Sequence, residues 1–254
     1  MRLIVIPTYN ERKNIADLLA LIFQQEEGFH VLIVDDNSPD GTGGLVCELI
    51  ETQYAGRLFL LARPGKLGLG SAYIAGFKWA LAREYQYILE MDADFSHNPK
   101  YLKQLLATAE RADLVLGSRY VPGGGITNWS MIRRLISLGG SLYSRIILGL
   151  PFRDLTGGYK CFRREVLMSI DLDDIRSNGY SFQIELTYRA FLQAFIIREV
   201  PITFEERAAG QSKMSRKIFL EAIWMVLKLR AGKSRLKAAG CKAIICPETN
   251  WTHP

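Results

Sequence analysis

Asp92 and Asp94 have the most suggestive spacing in the chain, in Tyr87-Ile-Leu-Glu-Met-Asp92-Ala-Asp94-Phe-Ser-His97-Asn-Pro99. The aromatic and branched residues from Tyr87 to Glu90 suit a β-strand, which puts both carboxylates at its carboxyl end. Open α/β sheets bind their ligands at that end. Residues two apart share a side of an extended chain, so the two acids converge. Such a pair suits a hard divalent cation that also grips a diphosphate, because Mg²⁺ commonly combines one or two carboxylates with phosphate oxygens. A plain surface turn with two solvated acids fits the same residues taken alone.

Similar polar clusters follow two earlier apolar runs. Pro7-Thr-Tyr9-Asn-Glu11 comes after Leu3-Ile-Val-Ile6, and Asp35-Asp36-Asn-Ser-Pro-Asp40-Gly41 after Val31-Leu-Ile-Val34. Each run is short and continuous, as in a strand buried on both faces, and the first breaks at Pro7. Apolar periodicity places one helix through Ile15, Leu18, Leu19, Ile22 and Phe23. A second carries Leu45, Val46, Leu49 and Ile50 behind Asp40 as N-cap. A strand at 58–61 and a helix at 71–83 precede the aspartate strand; a helix at 100–110 and a strand at 114–116 follow it. The alternation predicts an α/β fold, a Rossmann-like, mainly parallel sheet flanked by helices with right-handed crossovers. In a doubly wound sheet the three polar strand ends are neighbours. Carboxylates of the first two loops then face a base or ribose, although turn formation also accounts for Asp35 and Asp36.

Beyond Gly123-Gly-Gly125 the alternation lapses. A long helix is expected at 130–148, with Arg133, Arg134 and Arg145 among its apolar residues. A glycine-bearing loop at 154–160, a helix at 180–195 and a strand at 196–200 follow. The polar loop 207–213 holds Arg207 and Lys213. Ile218, Ala222, Met225, Val226 and Leu229 then share one face of a C-terminal amphipathic helix, with Trp224 near its edge. That helix suits either a membrane interface or packing against the core. One domain over 1–232 and a short, basic, irregular tail over 233–254 are expected.

Bulk properties narrow the class. The chain has 254 residues, 48% apolar and 23% charged, ordinary for a globular protein. Its net charge of +6 is uneven: from Arg207 onward ten Lys/Arg face two acids, Glu221 and Glu248. The four cysteines lack metal-like spacing, which points to a reducing compartment. A strand opens the chain at once, so no signal peptide is expected. Nor does any run reach the ~18 uncharged apolar residues of a membrane span; Arg145 and glycines interrupt the nearest, 135–150. Any membrane contact is therefore expected to be peripheral.

In order, Pro-Thr-Tyr-Asn-Glu at 7–11, Val-Asp-Asp-Asn-Ser-Pro-Asp-Gly-Thr at 34–42 and Lys-Leu-Gly-Leu-Gly-Ser-Ala-Tyr at 66–73 precede Met-Asp-Ala-Asp-Phe-Ser-His at 91–97. Gly-Ser-Arg-Tyr at 117–120, Asp-Leu-Thr-Gly-Gly-Tyr at 154–159 and Arg-Ala-Ala-Gly-Gln-Ser-Lys at 207–213 follow. Together they resemble family 2 glycosyltransferases of the GT-A fold, most closely the dolichol-phosphate mannose synthases, over about Leu3 to Gly232. The resemblance implies sugar transfer from GDP-mannose to a dolichyl or polyprenyl phosphate on the cytoplasmic face of a membrane, with Mg²⁺ or Mn²⁺ as cofactor. It implies that Pro7, Tyr9, Glu11, Val34 and Asp36 hold the donor nucleotide. Asp92, Ala93 and Asp94 form the donor and metal motif, with Asp94 the foremost ligand; some members carry Gln where this chain has Ser96. Arg207 and Lys213 clamp the diphosphate, and Arg119, Arg133 and Ser137 receive the acceptor phosphate. Many relatives continue into transmembrane helices, which leaves docking on the bilayer or an anchoring protein partner for this chain.

The same motifs admit UDP-glucose as donor. A processive polysaccharide synthase lacks support, since Gln-x-x-Arg-Trp is missing. Gly68-Leu-Gly70 begins a dinucleotide fingerprint whose third glycine falls on Tyr73. The basic C-terminal segment alone does not make a nucleic-acid module, and no nucleic acid is expected as partner.

Overall fold

Leu3, Ile4, Val5 and Ile6 are all fully buried, the condition of a strand covered on both faces. They belong to β1 (Arg2–Thr8). In chain order β2 (Phe29–Asp35), β3 (Leu58–Ala62), β4 (Tyr87–Glu90), β5 (Leu114–Ser118), β6 (Gly125–Ile126), β7 (Lys160–Arg163), β8 (Ile197–Pro201) and β9 (Thr203–Phe204) follow. The computed structural model describes residues 1–25, 28–127, 129, 131–175, 177, 179–205 and 216–237, with backbone alone at 132, 133 and 216–222. Seven strands form one sheet in the order β3-β2-β1-β4-β7-β5-β8, and β6 pairs with β9 in a small parallel ribbon. Within the large sheet every pairing is parallel except the two that β7 makes.

The chain winds from β1 outward to β3 and then returns to place β4 on the other side of β1. The switch point therefore falls between β1 and β4, where α/β sheets open a ligand crevice. The helices are α1 (Arg12–Gln25), α2 (Thr42–Thr52), α3 (Leu69–Leu81), α4 (Leu102–Ala109), α5 (Met131–Leu148), α6 (Arg164–Met168), α7 (Tyr180–Leu192) and α8 (Arg216–Ala231). Side-chain alternation along the strands divides the core into two layers. Ile4 and Ile6 join α1, α2 and α4 through Ile15, Leu18, Val46 and Leu105, while Leu3 and Val5 join α3 and α7 through Phe77 and Phe182. Each fully buried aliphatic contributes about 1.5–3 kcal/mol. Packing of α3 on β1 is close enough that a Cβ at Gly76 would lie 2.3 Å from Val5 Cγ1, so Gly76→Ala overpacks the layer.

Several boundaries differ from the sequence reading. β1 continues through Pro7 to Thr8. Its ladder to β4 ends at Val5 opposite Glu90, so the N–H that proline lacks is not needed on that side. Asp40 is not the N-cap of α2; Gly41 holds that place at φ 81°. Asp40 instead accepts the Arg12 and Thr42 backbone N–H groups at 3.0 Å each, which ties the first two strand-end loops together. Strand β7, helix α6 and the β6–β9 ribbon had no counterpart in the sequence reading.

The α8 helix packs beside α5 and α7, burying Val226 and Leu229 and leaving Trp224 and Leu227 exposed. Tyr143 of α5 donates to the Ile223 carbonyl at 3.2 Å. Core packing thus holds one face of α8, and among its described side chains Trp224, Leu227, Lys228 and Arg230 stay open. Residues 233–237 turn helically and bury Leu236, where an irregular tail was expected. Residues 238–254 lie outside the described residues.

Candidate active site at the strand ends

The loops after β1, β2 and β4 each turn through a non-glycine residue with positive φ: Asn10 at 64°, Asn37 at 56° and Phe95 at 62°. Asparagine tolerates that region; phenylalanine occupies it at a cost of order 1–3 kcal/mol. Side chains hold the strained turn. Asp94 Oδ1 accepts the Ser96 N–H at 3.1 Å, and His97 Nδ1 accepts the Asp92 N–H at 3.0 Å. An imidazole nitrogen that accepts leaves the other as donor. Stacking on Tyr159, with centroids 4.8 Å apart, fixes the His97 ring.

Asp94 is buried, whereas the Asp92 side chain keeps 25% exposure. Asp92 Oδ1 accepts the Tyr73 hydroxyl at 3.0 Å. Among the described residues no cluster of three His, Cys, Asp or Glu side chains could hold a metal by itself. Two carboxylates fit a hard cation whose remaining ligands are phosphate oxygens and water, and the buried Ser96 hydroxyl beside them has no hydrogen-bond partner among the described residues.

Asp35 is consumed locally. It accepts the Thr8 hydroxyl at 2.8 Å, the Ser38 hydroxyl at 2.6 Å and the Ser38 N–H at 3.0 Å, which is turn formation. Asp36 reaches to the loop before α3, pairing with Arg63 at 3.1 Å and accepting the Leu67 N–H at 3.2 Å. Glu11 accepts from Asn14 at 2.8 Å. The exposed Tyr9 ring carries Lys66 Nζ 4.1 Å from its centroid. Pro7 is half-buried beside them. The side chains of Val34 and Ala93 belong to the core, so what they offer a ligand is backbone.

A second cluster forms after β5. Arg119 is 95% buried, and its Nε and Nη2 both donate to Asp154 at 2.7 Å. Its backbone N–H adds a third bond to Asp154 at 3.0 Å, and Nη2 also reaches Thr156 Oγ1 at 2.8 Å. Burial works against both charges. For Asp154 the Arg119 charge and bonds outweigh it and hold the carboxyl below its ordinary range; Asp154 in turn keeps Arg119 protonated. The chain also packs closely on the backbone of this strand end, since a Cβ at Gly124 would meet the Ser118 carbonyl at 2.6 Å. Tyr120, Trp129 and Phe204 ring the guanidinium at 5.3, 5.5 and 5.4 Å.

Ser137 of α5 joins the cluster by accepting the Tyr120 hydroxyl at 2.8 Å, and it lies 3.5 Å from Thr156 Oγ1. Phe204 links the clusters, its ring meeting His97 edge-on at 5.7 Å. The structure therefore places Asp92 and Asp94 in one cluster and Arg119 and Ser137 in a second, with the rings of His97 and Phe204 packed between them. Arg133 lies on α5 with its side chain undescribed; Arg207 and Lys213 fall outside the described residues.

Asp154, Thr156, Tyr120, Tyr73 and Phe204 had no expected role, although all but Phe204 stand inside the motifs quoted above. The sequence reading also passed over one face of α5. Met131, Leu135, Leu138, Leu142 and Ile146 are exposed there, 45% or more in every case, at three- and four-residue spacing that makes one stripe. Among the described residues no helix is long and apolar enough to cross a membrane.

Known proteins match this arrangement. The model of glycosyl transferase family 2 covers residues 3–171. Polyprenol monophosphomannose synthase of Mycolicibacterium smegmatis is 48% identical over 225 residues, 88% of this chain and 84% of that protein. Undecaprenyl-phosphate mannosyltransferase of Micrococcus luteus is 48% identical over 223 residues, 87% and 90% of the two chains. Glucosyl-3-phosphoglycerate synthase from Mycobacterium tuberculosis, solved with phosphoglyceric acid, aligns over 91% of this chain and 80% of its own with a TM-score of 0.66. At 18% identity that likeness is one of fold. Joined to carboxylates at the switch point of a mostly parallel sheet, these matches identify the chain as a GT-A glycosyltransferase belonging to family 2.

Proposed function

We propose that this enzyme moves mannose from GDP-mannose to the phosphate of a polyprenyl or dolichyl monophosphate, with inversion, to give a lipid-linked β-mannosyl phosphate. The observation that carries this reading is the double character of α5. Its Ser137 stands in the Arg119 cluster, and its outward stripe of Met131, Leu135, Leu138, Leu142 and Ile146 is apolar. One helix thus joins a polar cluster to a surface suited to a hydrocarbon tail. Exposed Trp224 and Leu227 on neighbouring α8 extend the apolar side, and exposed Arg134, Lys228 and Arg230 supply charge for anionic headgroups. The enzyme accordingly works as a peripheral protein at the cytoplasmic face of a membrane, alone or with an anchoring partner. Residues 1–232 serve as the transferase domain and the remainder as a short tail.

A phosphate monoester has a second pKa of about 6 and is ionised near pH 7, so the acceptor needs no general base. One of its oxygens bonds to the anomeric carbon while the bond from that carbon to the diphosphate breaks, the electron pair leaving with GDP. Asp94, with Asp92, would hold Mg²⁺ or Mn²⁺, which would supply positive charge to the diphosphate. Arg207 and Lys213 add cations to the leaving group, while Arg119, Arg133 and Ser137 hold the attacking phosphate behind the sugar. Pro7, Tyr9, Glu11, Val34 and Asp36 line the nucleotide side.

The test is transfer of labelled sugar from GDP-mannose and, separately, UDP-glucose to a polyprenyl phosphate, with Mg²⁺, Mn²⁺ or chelator. Chelator-sensitive lipid labelling from GDP-mannose is expected. Labelling from UDP-glucose alone would move the enzyme to the sister activity, and labelling from neither would reject the acceptor class.

A further inference from the structure

Tyr73 is fully buried on α3, stacked between Phe77 at 6.1 Å and Phe182 at 6.0 Å. Its hydroxyl donates to Asp92 Oδ1, which leaves the carboxylate anchored by one oxygen yet a quarter exposed. We propose that Tyr73 is a positioning residue for the donor-metal site: its phenol sets the orientation of Asp92 before metal and diphosphate bind. The proposal rests on the reading of Asp92 and Asp94 as metal and diphosphate ligands.

The surroundings argue that this phenol is more than core filling. Beneath Asp92, on the α3 side of the sheet, Glu90 of β4 and Lys160 of β7 stand directly opposite each other on antiparallel strands, both at 1% exposure or less. Lys160 Nζ donates to the Gln183 carbonyl at 2.7 Å. The Glu90 carboxylate is sealed from water and has the Lys160 charge and the Gln183 side-chain amide within reach. Apolar residues would stabilise such a layer as well or better. Of this polar layer Tyr73 alone has a hydrogen bond to Asp92 among the described contacts. Groups that orient a metal ligand in this way typically alter metal affinity by about 10–100-fold when removed.

Tyr73→Phe keeps the ring in its stack and deletes one oxygen. Affinity for Mn²⁺ in the presence of GDP, read by electron paramagnetic resonance, is expected to fall about tenfold. The KM for donor should rise by a similar factor, with the KM for acceptor and the urea midpoint unchanged. Asp92→Asn and the double variant complete the cycle: the Tyr73→Phe effect must largely vanish in the Asp92→Asn background. Wild-type Mn²⁺ affinity in Tyr73→Phe overturns the proposal, as does an undiminished effect in the double variant. Asp94→Asn separates the two levels. If it loses Mn²⁺ binding while Tyr73→Phe does not, the positioning role alone fails; if it binds normally, the metal-site reading fails and takes the proposal with it.

Discussion

The turn after β4 and the Arg119–Asp154 cluster after β5 sit on neighbouring parts of one sheet edge and are held in opposite ways. In the first, two carboxylates are steadied by neutral donors, the Ser96 backbone N–H and the Tyr73 phenol, while the His97 imidazole accepts the Asp92 backbone N–H. In the second, a cation is locked by a carboxylate in a bidentate pair with almost no exposure. The contrast fits their proposed tasks. A site that must recruit a cation meets its carboxylates with neutral donors among the described contacts, whereas a site that must accept an anion near a bilayer fixes its arginine rigidly beforehand. Asp154 orients Arg119 and also weakens its net positive field, so phosphate has to be drawn by Arg119 together with the other cations of that side.

Breaking the buried pair should have the largest effect. Asp154→Ala strands a buried guanidinium and is expected to lower stability by about 3–5 kcal/mol in urea unfolding. A loss below about 1 kcal/mol would mean that Arg119 finds another partner. Removing charge from the other region should spare the fold and cost chemistry. Asp94→Asn is expected to reduce kcat/KM about 10²–10³-fold with an unchanged circular dichroism spectrum and melting curve. Normal turnover with normal metal dependence in that variant would refute the metal assignment.

The apolar stripe gives a smaller, purely interfacial effect. Leu142→Glu should weaken binding to vesicles of mixed neutral and anionic lipid about tenfold, since a buried leucine side chain is worth about 1.5–3 kcal/mol. Transfer to a short, water-soluble acceptor phosphate should be retained. Equal vesicle binding by both proteins would leave α5 facing something other than lipid.

The smallest effect concerns pH. Because the Asp154 pKa is lowered in the folded state, its contribution is fully present above the unfolded carboxylate range, about pH 4, and is lost as pH falls through the lower folded value. Stability of the Asp154→Asn variant, measured by denaturant unfolding, should therefore change less with acidification below about pH 4 than that of the wild type. Parallel curves would deny the coupling.

The two regions were also unequally legible in sequence. Strand β4 ends where the apolar run ends, and the acids follow within four residues, so period and composition suffice to find them. The antiparallel strand β7 is four residues long and carries Lys160 on a buried face, so no alternation betrays it. Its insertion between β4 and β5 brings Asp154, thirty-five positions away, against Arg119, and no local pattern encodes that meeting. Arg119 could be found from its motif, but that its fork is already engaged could not. Helix α5 was legible as a helix; which of its faces the core leaves uncovered depends on α8, which packs beside it from much further along the chain.

The central claim is that the edge of this sheet holds donor and acceptor phosphates by separable groups. Calorimetric titration of Asp94→Asn and Arg119→Lys, each with Mn²⁺ and GDP and then with a short-chain polyprenyl phosphate, tests it directly. Asp94→Asn should lose the nucleotide and keep the lipid phosphate, and Arg119→Lys should do the reverse, because lysine carries the charge without the planar fork. If both variants lose the same ligand, or neither loses any, the division of labour described here is wrong.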